Sequence, residues 1–114
     1  MLWVRIGALF CFLAVGLGAF GAHALKNMLA AHQSREVWQT AVLYHFLHAL
    51  ALILLGFHQA NRLSCYLFAA GIILFSGSLY GLALTNARWL GPITPLGGLC
   101  FLAGWVCLFL APKG

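Results

Sequence analysis

WQTAVLYHFLHALALILLGF, residues Trp38–Phe57, carries no charged side chain and reaches the roughly 17–25 residues that a helix needs to cross membrane hydrocarbon. Its apolar residues do not alternate with polar ones, which favours a helix over a strand. Three further stretches share this character: Leu2–Leu25, Cys65–Leu84 and Ile93–Leu110. Only helices and closed barrels satisfy every backbone polar group in lipid. The sequence therefore predicts one all-α membrane domain over residues 1–114, with four antiparallel transmembrane helices in a compact bundle.

The composition excludes an ordinary soluble domain. Hydrophobic residues make up 64% of the chain and charged residues 6%, whereas about a quarter of the residues in a soluble domain are charged. The net charge of +5 does not indicate a nucleic-acid partner, because the basic residues are spread along the chain near the segment ends. They are Arg5, Lys26, Arg35, Arg62, Arg88 and Lys113. This distribution is typical of anchors at the membrane surface, so membrane lipids are the expected surroundings.

The N-terminal stretch resembles a secretory signal, with Ala22-His23-Ala24 as an Ala-x-Ala-like site. It is longer than a typical signal core, and we expect it to be retained as the first span. The four cysteines form no Cys-x-x-Cys pair, which favours packing roles over disulfides or zinc sites. They are Cys11, Cys65, Cys100 and Cys107.

The connections differ in character. Lys26–Val37 is long enough for a short amphipathic turn on the membrane surface, and His58–Ser64 predicts a tight hairpin. Thr85–Pro95 contains Gly91-Pro92 and Thr94-Pro95, which predicts a stiff, non-helical connection.

Small residues recur at intervals of three and four in three of the spans, which predicts close helix packing, because small side chains let helix backbones approach in lipid. The predicted packing positions are Gly7, Cys11, Ala14, Gly18 and Gly21 in the first span, Gly77 and Gly81 in the third, and Gly97, Cys100, Gly104, Cys107 and Ala111 in the last.

The second span combines two different faces. The 4-3-4-3 stripe that starts at Ala41 contains His45 and His48, and the opposite stripe consists of leucines at positions 43, 47, 50 and 54. We expect the leucines to face acyl chains and both histidines to face the bundle interior.

Most polar side chains within the spans fall in one half of the membrane in an antiparallel arrangement. Because polar groups in hydrocarbon are costly, this clustering predicts one polar pocket or interface there. The candidate residues are His23, Lys26, Trp38, Thr40, Tyr44, His45, His48, Ser76, Ser78, Tyr80 and Thr94.

Several chemistries are conceivable for this cluster. His45-x-x-His48 places two imidazoles on one helical face, but a metal site needs further ligands, and only His23 offers one. Axial haem ligation needs histidines from two helices. Imidazole and tyrosine could relay protons, yet no nucleophile–base–orienter set is present, and the one acidic residue, Glu36, is expected at the surface. We therefore expect no cofactor and favour a network that fixes helix register. Small multidrug exporters use a carboxylate in the first helix, which this chain lacks.

Five motifs resemble one family over nearly the whole chain. They are GAFGAHAL (18–25), WQTA (38–41), YHFLHAL (44–50), FSGSLY (75–80) and LGPITPLGG (90–98). The chain is similar to the domain-of-unknown-function 423 family, the YgdD/YwdK-like small inner-membrane proteins related to transmembrane protein 256. One departure is Asn86-Ala87, where the family pattern leads us to expect a glycine. The resemblance implies a bacterial inner-membrane protein with four helices and transfers no activity.

The favoured function is that of an accessory or interaction subunit of a larger membrane complex, or of a homo-oligomer. The alternative is a binder of a lipid-like or quinone-like molecule in the His/Tyr/Ser-lined pocket, and an enzyme or transporter ranks below both. Three basic residues lie on each side of the predicted bundle, so the positive-inside rule is silent. The terminal amine favours cytoplasmic termini.

Overall fold

The computed structural model describes residues 2–58 and 61–111, which form helices and no strand. The elements are α1 (Leu2–Ala22), α2 (Lys26–Ala31), α3 (Arg35–Phe57), α4 (Arg62–Gly71), a π-helical turn (Ile72–Ser76), α5 (Gly77–Thr85), a 3₁₀ turn (Arg88–Leu90) and α6 (Ile93–Leu110). The π turn joins α4 and α5 into one continuous third span, Arg62–Thr85. Four helices are long and apolar enough to cross a membrane, which confirms the predicted all-α membrane fold.

The spans pack in a layered order. α1 lies along α3, α3 contacts the third span, and the third span contacts α6. α3 and the third span are therefore central. Over an 18-residue stretch of each span, 44% and 33% of their residues are buried, against 11% for α1 and 17% for the fourth span. The Cα atoms extend over 49 × 26 × 16 Å, so the molecule is flattened and its two outer helices are largely uncovered by the chain itself.

The connection after α1, where the sequence predicts a short amphipathic turn, contains the short helix α2. In α2, Leu29 is buried against Trp38 of α3 and Ala83 of α5. The Ser34 hydroxyl and the His32 Nδ1 both donate to the Ala83 carbonyl, at 2.9 and 3.1 Å. These bonds tie the α2–α3 connection to the end of the third span.

The connection before the last helix is shorter than predicted. α6 begins at Ile93, so Thr94 and Pro95 belong to its first turn and are not part of a non-helical connection. Proline is tolerated there because the N–H groups of a first helical turn have no intrahelical acceptor. Asn86 ends α5 with a φ of 58°, a left-handed conformation that asparagine adopts more readily than most residues. This explains how asparagine can stand near a position where glycine was expected. The predicted hairpin at His58–Ser64 includes residues 59–60, which lie outside the described residues.

Most of the predicted small-residue positions lie where helices approach closely. Gly7, Ala14 and Gly21 of α1 and Gly97 and Gly104 of α6 are buried. Cys11 and Gly18 are half-buried, and Gly81 lies beneath the Leu90 side chain. Two further glycines were missed: Gly56 lies against the backbone of α1, and Gly71 lies against the Phe101 ring.

Gly77 is the exception, and the π turn is the reason. The sequence places Gly77 seven residues after Ala70, on nearly the same stripe of a regular α-helix. A π turn accommodates one extra residue, which displaces the following position by about 100° from that stripe. Gly77 is consequently exposed, and a Cβ added there would meet nothing within 4 Å. Ser76 is buried instead and donates to the Ala41 carbonyl of α3 at 2.8 Å.

Candidate functional site

The two faces of α3 are arranged as its sequence predicts. His45 and His48 are 3% and 5% exposed, whereas all four leucines of the opposite stripe are exposed. The histidines therefore lie between the helices, where every polar atom needs a partner from the protein.

His48 has both ring nitrogens bonded. Its Nδ1 donates to the Tyr44 carbonyl at 2.8 Å, and the indole N–H of Trp105 donates to its Nε2 at 3.0 Å. A carbonyl only accepts and an indole only donates, so this geometry requires a neutral imidazole with its proton on Nδ1. The ring stacks on Phe101 with centroids 3.7 Å apart. His48 thus links α3 to α6 and has no free lone pair for a metal or a substrate.

His45 is bonded at one nitrogen only. Its Nδ1 lies 2.8 Å from the Tyr80 hydroxyl of α5. The other ring nitrogen, Nε2, is buried and has no hydrogen-bond partner. Within residues 2–58 and 61–111, this is the only buried side-chain nitrogen or oxygen without one.

The buried hydroxyl groups connect neighbouring helices. Ser64 of α4 donates to the Gly104 carbonyl of α6 at 2.9 Å, just as Ser76 donates to α3. Ser78 and Thr94 share a hydrogen bond of 2.6 Å, and the Ser78 hydroxyl also lies 2.9 Å from the Phe75 carbonyl. These groups serve helix–helix contacts, as the register-fixing network expected from the sequence would.

The structure places the predicted pocket residues in two different environments. His45, His48, Ser76, Ser78, Tyr80 and Thr94 belong to the interior network. By contrast, His23, Lys26 and Thr40 are exposed. Tyr44 is 40% exposed, and its ring packs against Phe75 of the third span with centroids 4.9 Å apart. Trp38 is buried between the two groups and donates from its indole N–H to the Leu17 carbonyl of α1 at 2.9 Å. The sequence located these residues in one half of the membrane but could not separate interior from exterior positions near the helix ends.

Among the described residues, no three His, Cys, Asp or Glu side chains come close enough to hold a metal ion. The expectation that the chain carries no cofactor stays a prediction.

A cleft lies beside this network, between the end of α1, α2 and the start of α3. Its volume is about 420 Å³. The lining residues are Gly18, Gly21, Ala22, Lys26, Asn27, Leu29, Ala30, Arg35, Trp38, Gln39, Val42, Leu43 and Phe46. Of the pocket residues predicted from the sequence, only Lys26 and Trp38 are among them. The cleft forms because α2 folds back over α3, and nothing in the sequence pattern of the spans signals that return.

Comparison with known proteins agrees with the fold. A family model described as a protein of unknown function (DUF423) matches residues 17–98. The UPF0382 membrane protein YwdK of Bacillus subtilis is 44% identical, over 96% of this chain and 94% of the relative. A UPF0382 membrane protein of Staphylococcus aureus is also 44% identical, over 96% of this chain and 93% of the relative. No solved structure matches the chain. With four membrane-spanning helices and a matching sequence over nearly its whole length, the chain belongs to the DUF423 family.

Proposed function

We propose that this protein is an accessory or interaction subunit that associates with another protein in the plane of the membrane. The observation that supports the proposal is that most polar side chains within the spans are hydrogen-bonded to other parts of the protein. The serines within the spans and His48 are hydrogen-bonded to neighbouring helices or to the backbone, and these bonds connect α3, the third span and α6. The Trp38 indole adds a bond from α3 to α1. Most side chains that chemistry would require are thereby used for structure, and His45 keeps one ring nitrogen without a partner.

The outer helices offer the surface for such an association. α1 and α6 belong to the least buried spans, and large side chains such as Phe12 and Phe109 project from them, 74% and 87% exposed. Gly16 of α1 has open space around its Cα, so a helix backbone from a neighbour could approach closely there. In lipid, association depends on this kind of close backbone packing and not on apolar burial alone.

Photocrosslinking in intact membranes tests the proposal. We would place benzoylphenylalanine at Phe12 or Phe109, with Leu47 of the leucine stripe as the matched exposed control. The proposal predicts an adduct of one discrete mass from an outer helix and none from position 47. Mass spectrometry then identifies the adduct as another protein or a second copy of this chain. Lipid adducts alone at both outer positions would contradict the proposal.

We also propose that the protein lies in the inner membrane with both termini in the cytoplasm. The bacterial relatives bear the name membrane protein, and an even number of spans returns the C-terminus to the side of the N-terminus. The positive terminal amine favours the cytoplasmic side.

A further inference from the structure

We propose that the cleft between α1, α2 and α3 binds an anionic phospholipid, with its phosphate between Lys26 and Arg35 and an acyl chain along Val42, Leu43 and Phe46. This inference goes beyond the accessory role and does not depend on it. A protein that associates with no partner could still hold the lipid, and a partner could bind elsewhere.

The depth of the cleft matches one leaflet of a bilayer. Arg35 and Phe46 both line it, and they are eleven residues apart on α3. At about 1.5 Å per residue, the cleft extends roughly 16 Å along the helix axis. This is about half of the roughly 30 Å hydrocarbon core, so the cleft runs from the membrane surface to its middle.

The charged residues that line the cleft are all basic. Lys26 and Arg35 are the charged residues among those that line it, and Asn27 and Gln39 add polar groups at the same end. The chain has a single acidic residue, Glu36, which does not line the cleft. Arginine binds phosphate oxygens in a bidentate way, and lysine adds a mobile point charge. The surface end of the cleft is therefore complementary to a phosphate group.

The inner end of the cleft is apolar and open to lipid. Leu43 and Phe46 are 54% and 36% exposed, so a chain lying against them is continuous with the surrounding acyl chains. A soluble anion such as inorganic phosphate would satisfy the two cations but leave this apolar half uncovered. The combination of both halves in one cleft is what favours a phospholipid.

The floor of the cleft is tightly packed. Trp38 is buried and bonded to α1, and a Cβ added at Gly21 would overlap its indole ring. Gly18 and Val42 both line the cleft, and a Cβ added at Gly18 would already lie 3.4 Å from Val42, so a larger side chain there would extend into the cleft. A preformed site of this kind loses little conformational entropy when a ligand binds.

Native mass spectrometry of the purified full-length protein tests the charge requirement. The protein in neutral detergent is titrated with phosphatidylglycerol and, separately, with phosphatidylcholine of the same acyl chains. We expect retention of one phosphatidylglycerol molecule. The double variant Lys26→Gln/Arg35→Gln should weaken it about 25-fold, since each basic residue contributes about a fivefold gain near anionic lipid. Arg88→Gln is the matched control, because Arg88 is exposed at the same end of the bundle but does not line the cleft.

A steric pair tests the position of the acyl chain. Gly18→Leu fills the cleft, whereas Gly16→Leu adds the same side chain to the same helix where the surroundings are open. Only the first should reduce lipid retention, by about tenfold or more. The charge variants concern exposed side chains and keep the proposal testable even if Gly18→Leu fails to fold.

Four results would overturn the proposal. They are equal retention of phosphatidylcholine, equal weakening by Arg88→Gln, unchanged binding in the Lys26→Gln/Arg35→Gln variant, and complete displacement of the lipid by millimolar inorganic phosphate. The last result would assign the site to a soluble phosphate and not to a lipid.

Discussion

Single glycines decide how closely the helices of this protein approach. A Cβ added to Gly97 of α6 would lie 2.6 Å from the Phe75 Cα and would also overlap its backbone nitrogen in the π turn. A backbone cannot move aside as a side chain can. The next residue, Gly98, would place its Cβ no closer than 3.8 Å to the Phe75 ring, which is ordinary contact.

We therefore expect Gly97→Ala and Gly98→Ala to have different effects on stability. Gly97→Ala should reduce the free energy of unfolding by about 1–3 kcal/mol, the usual cost of overpacking. Gly98→Ala should be neutral or stabilise by up to about 1 kcal/mol, because alanine restricts the unfolded chain more than glycine does. Unfolding in mixed micelles, followed by circular dichroism, measures both. Equal destabilisation by the two variants would contradict the close contact between Gly97 and the Phe75 backbone.

At the scale of the helix, α3 and the third span show where sequence patterns succeed and fail. α3 is a regular α-helix, so intervals of three and four residues assign its buried histidines and its exposed leucines correctly. The third span contains the π turn, which is invisible in composition, and the same counting therefore misplaces Gly77. The interior hydrogen bonds, such as Trp105 to His48, and the cleft beneath α2 depend on which helices become neighbours, which no single-helix pattern contains.

Cysteine labelling tests the orientation of α3. In a background without the four native cysteines, a membrane-soluble maleimide should modify Leu47→Cys rapidly, because that side chain is 50% exposed. His48→Cys should react much more slowly, since its position is enclosed by α6. Circular dichroism verifies that the His48 variant is folded. Faster labelling at position 48 than at position 47 would reverse the assignment of the two faces.

In the assembled bundle, the two central spans contain most of the buried core, and the two outer spans are mostly exposed. The ends of α1 and α5, the starts of α3 and α6, and α2 share one side of the membrane. With the inner-membrane location and the cytoplasmic termini proposed above, that side is the periplasm, and the lipid proposed for the cleft belongs to the outer leaflet.

Reporter fusions test this orientation. Alkaline phosphatase fused after Gly114 should be inactive, because it would remain in the cytoplasm, and the same enzyme fused after Asn86 should be active. The Asn86 fusion follows three spans, so it lies on the opposite side of the membrane and is the control in which the phosphatase should be active. An active enzyme after Gly114 together with an inactive one after Asn86 would reverse the proposed orientation and assign the lipid site to the inner leaflet.

The π turn also has a consequence for length variation among relatives. It contains one residue more than an α-helix would need to connect α4 and α5 while the same faces of both helices point to the bundle interior. Loss of a residue such as the exposed Ile73 could convert the turn to plain α-helix and leave Tyr80 beside His45. Loss of a residue within α5, before Tyr80, would instead rotate that tyrosine by about 100° from its partner. A one-residue gap in an alignment therefore has a different meaning in this turn than elsewhere in the span. In the turn it indicates a change from π-helix to α-helix, and the same side chains still face the bundle interior.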